Sequence, residues 1–357
     1  MNPETKRSVQ PTVVLAGGNG FLGRGLTQPL TARGFRVIVL TRSWPESGLM
    51  DSPLLTKEGL GEVGGREEGS WDVGSGEMPP VKEDNLRTKI ASGDVLRHVA
   101  WDGKTVGDWT KYLDGAATVV NFTGRSVNCR HTEKNRREII ESRTLSVRAI
   151  GEAIRSCSQP PKVWIQAGSL AIYGDAGERI CDEEAPHGND FSTEVCRLWE
   201  EAFQSAVIPG TRKILLRIGL VLGPDGGFLQ PLANLTRLFL GGTVGSGKQY
   251  ISWLHTDDFN RMVLRAIEDP AMAGVFNATG PNPVTNAELM RELRHVLNRP
   301  WLPPTPTWAV HIGAWLMRTE ASLALTGRRC IPRRLIETGF EFQFPELRGA
   351  LENIAPG

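Results

Sequence analysis

The stretch that most limits what this chain can fold into lies near its start. Thr12 to Ala16 is a short, apolar, β-branched run, followed at once by Gly17, Gly20 and Gly23 at the spacing GxxGxxG and by a helix-compatible segment through Leu30 and Ala32. Such a run predicts a buried strand. A strand, a glycine turn and a helix in that order give each glycine a separate task. The first permits the tight turn, the second lets a phosphate approach the backbone, and the third lets helix and strand pack closely. Free N–H groups and the helix dipole then favour an anion at the helix N-terminus. The motif predicts nucleotide binding by Gly17, Asn19, Gly20, Phe21, Leu22 and Gly23.

With 357 residues the chain is long enough for one large domain or two of ordinary size. Its net charge of +1 gives no basis for binding nucleic acid or a membrane surface. The five cysteines are odd in number and contain no CxxC pair, which fits reduced thiols rather than a disulfide framework or a zinc site. The six histidines form no HExxH or comparable spacing, so no metal is expected. Met1 to Gln10 is polar and unlike a signal peptide. Trp308 to Met317 is about half the length needed to span a bilayer and reads as a core or cap helix. A soluble, cytoplasmic protein is the expectation.

Strand-like segments alternate with helical ones. Strands are predicted at Phe35–Leu40, His98–Trp101, Thr118–Asn121, Lys162–Ala167 and Lys213–Ile218, with another near Val275–Ala278. Helices are predicted from about Glu133 to Ser156 and Ser192 to Ala206, then over 256–267, 286–297, 307–325 and 345–353. Alternation of this kind produces an α/β fold, a doubly wound parallel Rossmann sheet covered on both faces. Residues 10–225 are read as the nucleotide-binding domain, and 226–300 as a mixed cap with returning Rossmann elements. Residues 301–357 are read as a helical C-terminal extra domain, making the C-terminal part a small α+β substrate or cap region. Residues 44–93 lose all periodicity and are rich in Gly, Glu, Asp, Ser and Pro, the composition of a disordered insertion.

Several motifs stand in the order of one family. After the glycine turn come Asn121-Phe122-Thr123-Gly124, Ser142-Arg143 and Ser169-Leu-Ala-Ile-Tyr173-Gly174-Asp175. Glu194-Val-Cys196-Arg-Leu-Trp-Glu200, Arg217-Ile-Gly-Leu-Val221-Leu-Gly223 and Gly245 to Asp258 follow, and Cys330 to Phe340 closes the series. The chain resembles the extended and atypical short-chain dehydrogenases/reductases, in particular the epimerase family group with a short extra C-terminal domain. The resemblance covers nearly the whole chain except 44–93. It implies a dinucleotide cofactor, an unidentified small-molecule substrate and a homodimer formed through two helices.

The tip of the second strand normally separates NAD from NADP. Here Thr41-Arg42-Ser43 offers a guanidinium and no acid, which suits a 2′-phosphate and makes NADP the expected cofactor over NAD. The resemblance extends the site to Phe122, Thr123, Gly124 and Val221. Arg143 lies three residues after Ile140 and four before Val147, on the inward stripe of its helix, so it needs a partner. A cofactor phosphate and Glu138 are the two candidates.

Catalysis is the open part. Members of the resembled family use a serine with a Tyr-x-x-x-Lys pair, the tyrosine exchanging a proton while hydride moves. Ser169 stands at the serine position, four residues before Tyr173, and these two are the candidate catalytic residues. Ser192 and Cys196 stand where the tyrosine and lysine are expected, and neither can replace them, because a serine hydroxyl is a weak acid and a cysteine carries no fixed positive charge. His255 is read as structural, Asp257 or Asp258 as the cap of the next helix, and Arg328, Arg329, Arg333 and Arg334 as a solvated basic face. Two functions follow: an NADP-dependent oxidoreductase or sugar-nucleotide-epimerase-like enzyme, or a catalytically silent dinucleotide-binding regulator or scaffold.

Overall fold

A computed structural model describes residues 10–42 and 95–354. Within them, the strands β1 (Thr12–Ala16), β2 (Arg36–Thr41), β3 (Leu96–Ala100), β4 (Thr118–Asn121), β5 (Val163–Ser169), β7 (Arg212–Ile218) and β11 (Gly274–Ala278) form one sheet. All its pairings are parallel, in the order β11-β7-β5-β4-β1-β2-β3. Short strands pair elsewhere: β6 (Ile180–Cys181) with β13 (Arg329–Cys330), β8 (Leu220–Leu222) with β10 (Trp253–His255), and β9 (Tyr250–Ile251) with β12 (Val284–Thr285).

The helices are α1 (Phe21–Ala32), α2 (Glu133–Arg155), α3 (Phe191–Gln204), α4 (Leu229–Arg237), α5 (Thr256–Glu268) and α6 (Asn286–Val296). Four more follow: α7 (Thr307–Leu316), α8 (Ser322–Leu325), α9 (Arg333–Glu337) and α10 (Leu347–Ile354). The expected disorder of 44–93 lies outside the described residues.

The period-2 alternation of strand side chains explains why the strands are apolar throughout. Val13 and Leu15 point into one core with Leu26 and Leu30 of α1 and Phe259, Met262 and Val263 of α5. Val14 and Ala16 point into the other, with Val147, Ile150 and Ile154 of α2 and Trp199 and Phe203 of α3. Both faces of β1 are therefore covered, and the doubly wound architecture stands. On α2 the residue buried at the start of the stripe is Ile139 rather than Ile140, and Arg143 lies four residues from both Ile139 and Val147.

A third core joins α6 and α10 through Leu289, Met290, Leu293, Leu347, Ala350 and Leu351. Asp258 ties the C-terminal segment to α5: its buried carboxylate accepts the N–H groups of Gln343 (2.8 Å) and Phe344 (2.9 Å). The cap of α5 is consequently not an aspartate, since His255 Nδ1 accepts the Asp257 N–H at 3.1 Å.

Two expectations for the C-terminal region change. The predicted helix over 307–325 breaks after Leu316, and Arg318 takes a φ of 55°. α7 is not a core helix, because Ala314 alone of its residues is buried while Trp308 and Trp315 are 68% and 65% exposed. Its apolar residues surround the helix rather than forming one stripe, so packing on a single face leaves the others uncovered. No helix among the described residues is long and apolar enough to cross a membrane.

Candidate functional site

The sheet order reverses between β1 and β4: from β1 the chain moves outward to β2 and β3, then returns to the other side of β1. In doubly wound sheets the crevice beyond the carboxyl ends of the strands at this reversal is where ligands bind. Gly17 leaves β1 there with φ +77°, and a Cβ on it would lie 2.9 Å from the carbonyl carbon of Phe122 and 3.0 Å from the Thr123 nitrogen. Only glycine allows the loops after β1 and β4 to approach so closely.

The other glycines divide the work as the motif requires. A Cβ on Gly23 would fall 2.4 Å from Gly18 Cα, so Gly23 lets α1 pack onto the turn. A Cβ on Gly20 would press on Gly17 O at 3.3 Å but meet no other atom within 4 Å, so space lies open on its remaining sides. Gly20 is also the N-cap of α1; no side chain caps the helix, and its first turn carries no acidic residue. The N–H groups of Phe21, Leu22 and Gly23 are thus free of side-chain competition at a positive helix end. The Phe21 ring packs closely against Gly223 and Gly227.

The turn is bonded to the tip of β2. Asn19 Nδ2 donates to Thr41 Oγ1 at 2.8 Å, and Gly17 N donates to Leu40 O at 3.2 Å. Arg42 follows Thr41 directly and is exposed. Beyond β4, Asn121 donates to Gln166 Oε1 (3.0 Å) and Ser146 Oγ (3.3 Å) and accepts the Thr123 N–H (3.0 Å), which fixes the path of Phe122, Thr123 and Gly124. Thr123 Oγ1 is buried beside this crevice with no hydrogen-bond partner among the described residues, a cost that a bound polar group would remove. The uncapped helix end, the space beside Gly20 and this orphaned hydroxyl together fit a phosphate-bearing nucleotide. Val221 is buried on β8.

Glu138 is not Arg143's partner. It pairs with Arg125, whose Nη2 also donates to Asn135 Oδ1 at 3.0 Å. Arg143 Nη1 donates to the carbonyls of Arg125 and Ile139, both at 3.0 Å, and its guanidinium lies over the Trp199 ring, 5.1 Å from the centroid. Burial pulls its pKa below the ordinary arginine value.

The two candidate catalytic residues, at opposite ends of one short 3-10 turn, differ in their surroundings. Ser169 ends β5 at a half-buried position, where its Oγ accepts the Ala171 N–H at 3.2 Å. Tyr173 is 1% exposed, donates to Asn277 Oδ1 at 2.8 Å and accepts from Arg217 Nη1 at 2.8 Å. Burial raises its pKa far above the usual phenol range despite the nearby guanidinium. Its hydroxyl therefore belongs to a buried network rather than to the crevice, which corrects the expectation that it serves beside Ser169. Arg217 holds Glu200 through two 2.9 Å bonds, and Glu183 accepts the Asn277 N–H at 3.0 Å. Sequence reasoning missed this network, although a lone arginine inside the apolar run of β7 is a signal that a buried partner exists.

The remaining titratable candidates are also occupied. Cys196 is buried, and burial, with Glu200 nearby, pushes its thiol pKa up to about 12, which removes it as a nucleophile. His255 is 1% exposed and stacked on Phe344 at 3.9 Å. The arginines of the tail do not form a solvated face. Arg328 donates to Gly174 O (3.0 Å), Arg333 pairs with Asp182 and Glu184 (both 2.8 Å), and Arg334 bonds the carbonyls of Val275 and Ala273.

Residues 13–278 match the model of the NAD dependent epimerase/dehydratase family, and residues 305–354 match a domain of unknown function, DUF1731. The Homo sapiens epimerase family protein SDR39U1 is 31% identical, with 96% of this chain and 99% of that protein covered. Its Arabidopsis thaliana homologue, described as chloroplastic, is 30% identical over 98% of this chain and 88% of its own length. A crystal structure of human SDR39U1 (isoform 2) with NADPH superimposes with a TM-score of 0.75 and 29% identity, covering 97% of this chain and 99% of that one. Fold, motif order and matched length agree, and the chain belongs to the NAD-dependent epimerase/dehydratase family.

Proposed function

We propose that this protein binds NADP(H) in the crevice between the glycine turn and the 122–124 loop, as an atypical short-chain dehydrogenase/reductase acting on a small molecule. The observation that carries the reading is the approach of Gly17 to Phe122 and Thr123 beside the uncapped N-terminus of α1. The pyrophosphate is held by the N–H groups that open α1, and Arg42, placed by the Asn19–Thr41 bond, receives the 2′-phosphate. NADPH in the crystal structure of the human relative supports the same choice. When bound, the nicotinamide supplies hydride transfer. Ser169, half-buried at the end of β5, donates a hydrogen bond that orients the substrate's oxygen.

In this reading Tyr173 and Cys196 take no part in proton transfer. That also favours a second reading, a dinucleotide-holding regulator without turnover. Titration with NADPH, then a screen of carbonyl compounds and sugar nucleotides by nicotinamide absorbance, separates the two. Arg42→Asp is expected to weaken NADPH by about tenfold or more and NADH little, from the loss of one charged hydrogen-bonding pair. Equal effects on both cofactors would overturn the assignment of Arg42. Turnover abolished by Ser169→Ala supports the enzyme, whereas tight NADPH binding without turnover of any compound supports the regulator.

A further inference from the structure

Cys181 and Cys330 face each other across the two-residue ladder of β6 and β13, where the register pairs Ile180 with Arg329 and Cys181 with Cys330. Paired residues on adjacent strands lie about 4.8 Å apart, inside the range of about 4.4–6.8 Å between Cα atoms that a disulfide spans, and their Cβ atoms leave the ladder on the same side. Both side chains are 0% exposed and share one apolar cluster with Leu170, Ile172 and Tyr173. The third thiol of that cluster, Cys196, lies on α3 and outside the ladder. All of these cysteines are free thiols.

The pair joins two parts of the chain that are remote in sequence. β6 lies just beyond the 3-10 turn that carries Tyr173, and β13 belongs to the C-terminal segment. Only weak bonds hold them together. The Ile331 N–H donates to Cys181 O at 3.0 Å, Ser252 Oγ accepts the Cys330 N–H at 2.8 Å, and Arg333 pairs with Asp182 at 2.8 Å. A ladder this short opens locally at little cost. Ile180, next to Cys181, is 52% exposed, so fraying of β6 brings Cys181 to solvent first. A hydrogen bond from the Cys330 thiol, helped by Arg179 and Arg328 and opposed by burial, pulls the Cys181 pKa below the usual thiol value. Burial holds Cys330 protonated. The thiolate is the reactive form, so Cys181 attacks and Cys330 resolves.

We propose that Cys181 and Cys330 form a reversible dithiol–disulfide couple that reacts with a low-molecular-weight disulfide and locks the C-terminal segment to the chain beyond Tyr173. The Cys181 thiolate, its proton released to solvent, attacks one sulfur of the small disulfide. That S–S bond breaks, a mixed disulfide forms on Cys181, and one small thiolate leaves. Cys330 loses its proton and attacks the Cys181 sulfur, which expels the second small thiolate. Two electrons pass from the protein thiols to the small disulfide, and the two expelled thiolates take up the two protons. None of this rests on the cofactor reading.

The test equilibrates the full chain over a series of oxidised-to-reduced glutathione ratios, then maps its peptides by mass spectrometry. Serine at Cys129 and Cys157, the two half-buried thiols, removes competing reactions. A peptide linking Cys181 to Cys330, lighter by two hydrogens and restored by dithiothreitol, is expected. The oxidised chain should melt about 4–8 °C higher, as closure of a long loop implies, and its Ile331 N–H should exchange more slowly. Cys330→Ser should stop at one glutathione on Cys181, whereas Cys181→Ser should leave Cys330 unmodified. Where a serine variant does not fold, the peptide map of the chain with both cysteines decides. No linked peptide at a ratio that links the urea-unfolded chain, a link to Cys196 instead, or ready modification of Cys330 in Cys181→Ser would overturn the proposal.

Discussion

Tyr173→Phe is the substitution that separates a structural phenol from a catalytic one. The ring is 1% exposed, and phenylalanine preserves its shape, so the change removes a hydroxyl and little else. That hydroxyl donates to Asn277 Oδ1 and accepts from Arg217 Nη1, both at 2.8 Å. Arg217 keeps its two bonds to Glu200 and a 3.1 Å bond to Glu183 O, so its share of the loss is small. Asn277 Oδ1 is left buried without its donor, at a cost of about 1–3 kcal/mol. At roughly 2 °C per kcal/mol for a chain of this size, the midpoint of thermal unfolding falls by about 2–6 °C. Glu200→Gln, which leaves the Arg217 charge uncompensated, falls further, by about 3–5 kcal/mol. Because burial raises the Tyr173 pKa, the hydroxyl is protonated in folded and unfolded chains alike at neutral pH, and the difference does not vary with pH there. Thermal unfolding and NADPH titration on the same preparation provide the assay, with lower stability and unchanged affinity expected. An unchanged unfolding midpoint combined with lost affinity or turnover would show that the phenol faces the crevice, and the network argument would fail.

Three further substitutions have expected outcomes. Gly23→Ala drives a Cβ to within 2.4 Å of Gly18 Cα and 2.6 Å of its carbonyl oxygen, backbone that cannot move aside, so a loss of about 3 kcal/mol or more is expected in urea unfolding. Gly20→Ala meets only Gly17 O at 3.3 Å and should cost about 1 kcal/mol while weakening NADPH by about tenfold; the same pattern in both variants would contradict the division of roles. Burial lowers the His255 pKa below 6.5, against the opposing pull of Asp257 and Asp258. A depressed imidazole pKa means that the unfolded chain takes up the proton first, so stability is full above about pH 6.5 and declines as the pH falls below it. His255→Asn, which keeps a side-chain acceptor at the cap, should flatten that decline in a series of melts from pH 8 to pH 5, and an unchanged decline would place its origin elsewhere.

How much of this was legible in the sequence depended on how local the determining physics is. The Gly17–Gly23 turn was fully readable, because strand, turn and helix adjoin and each glycine answers to a neighbour within a few residues or to the adjoining strand. The sheet was readable for a related reason: β1 and β2 are buried on both faces, and a continuous apolar run is the record of that. The fate of Tyr173 was not readable, since its partners Arg217 and Asn277 lie 44 and 104 residues away and the spacing to Ser169 carries no information about them. The same limit governs Arg143. Its place on the inward stripe was visible, but Glu138, five residues before it, is engaged by Arg125, and that competition exists only in three dimensions. A motif read along one element thus marks the proposed phosphate end of the site, where backbone groups are the donors on offer. The end where chemistry would occur depends on side chains from elements far apart in sequence, and there the matching of residue types to family positions was the weaker guide. That asymmetry is why the missing lysine at Cys196 does not by itself argue for a dead site: a charge required at one point in space can be delivered from a neighbouring element, and the order of residues along α3 keeps no record of it.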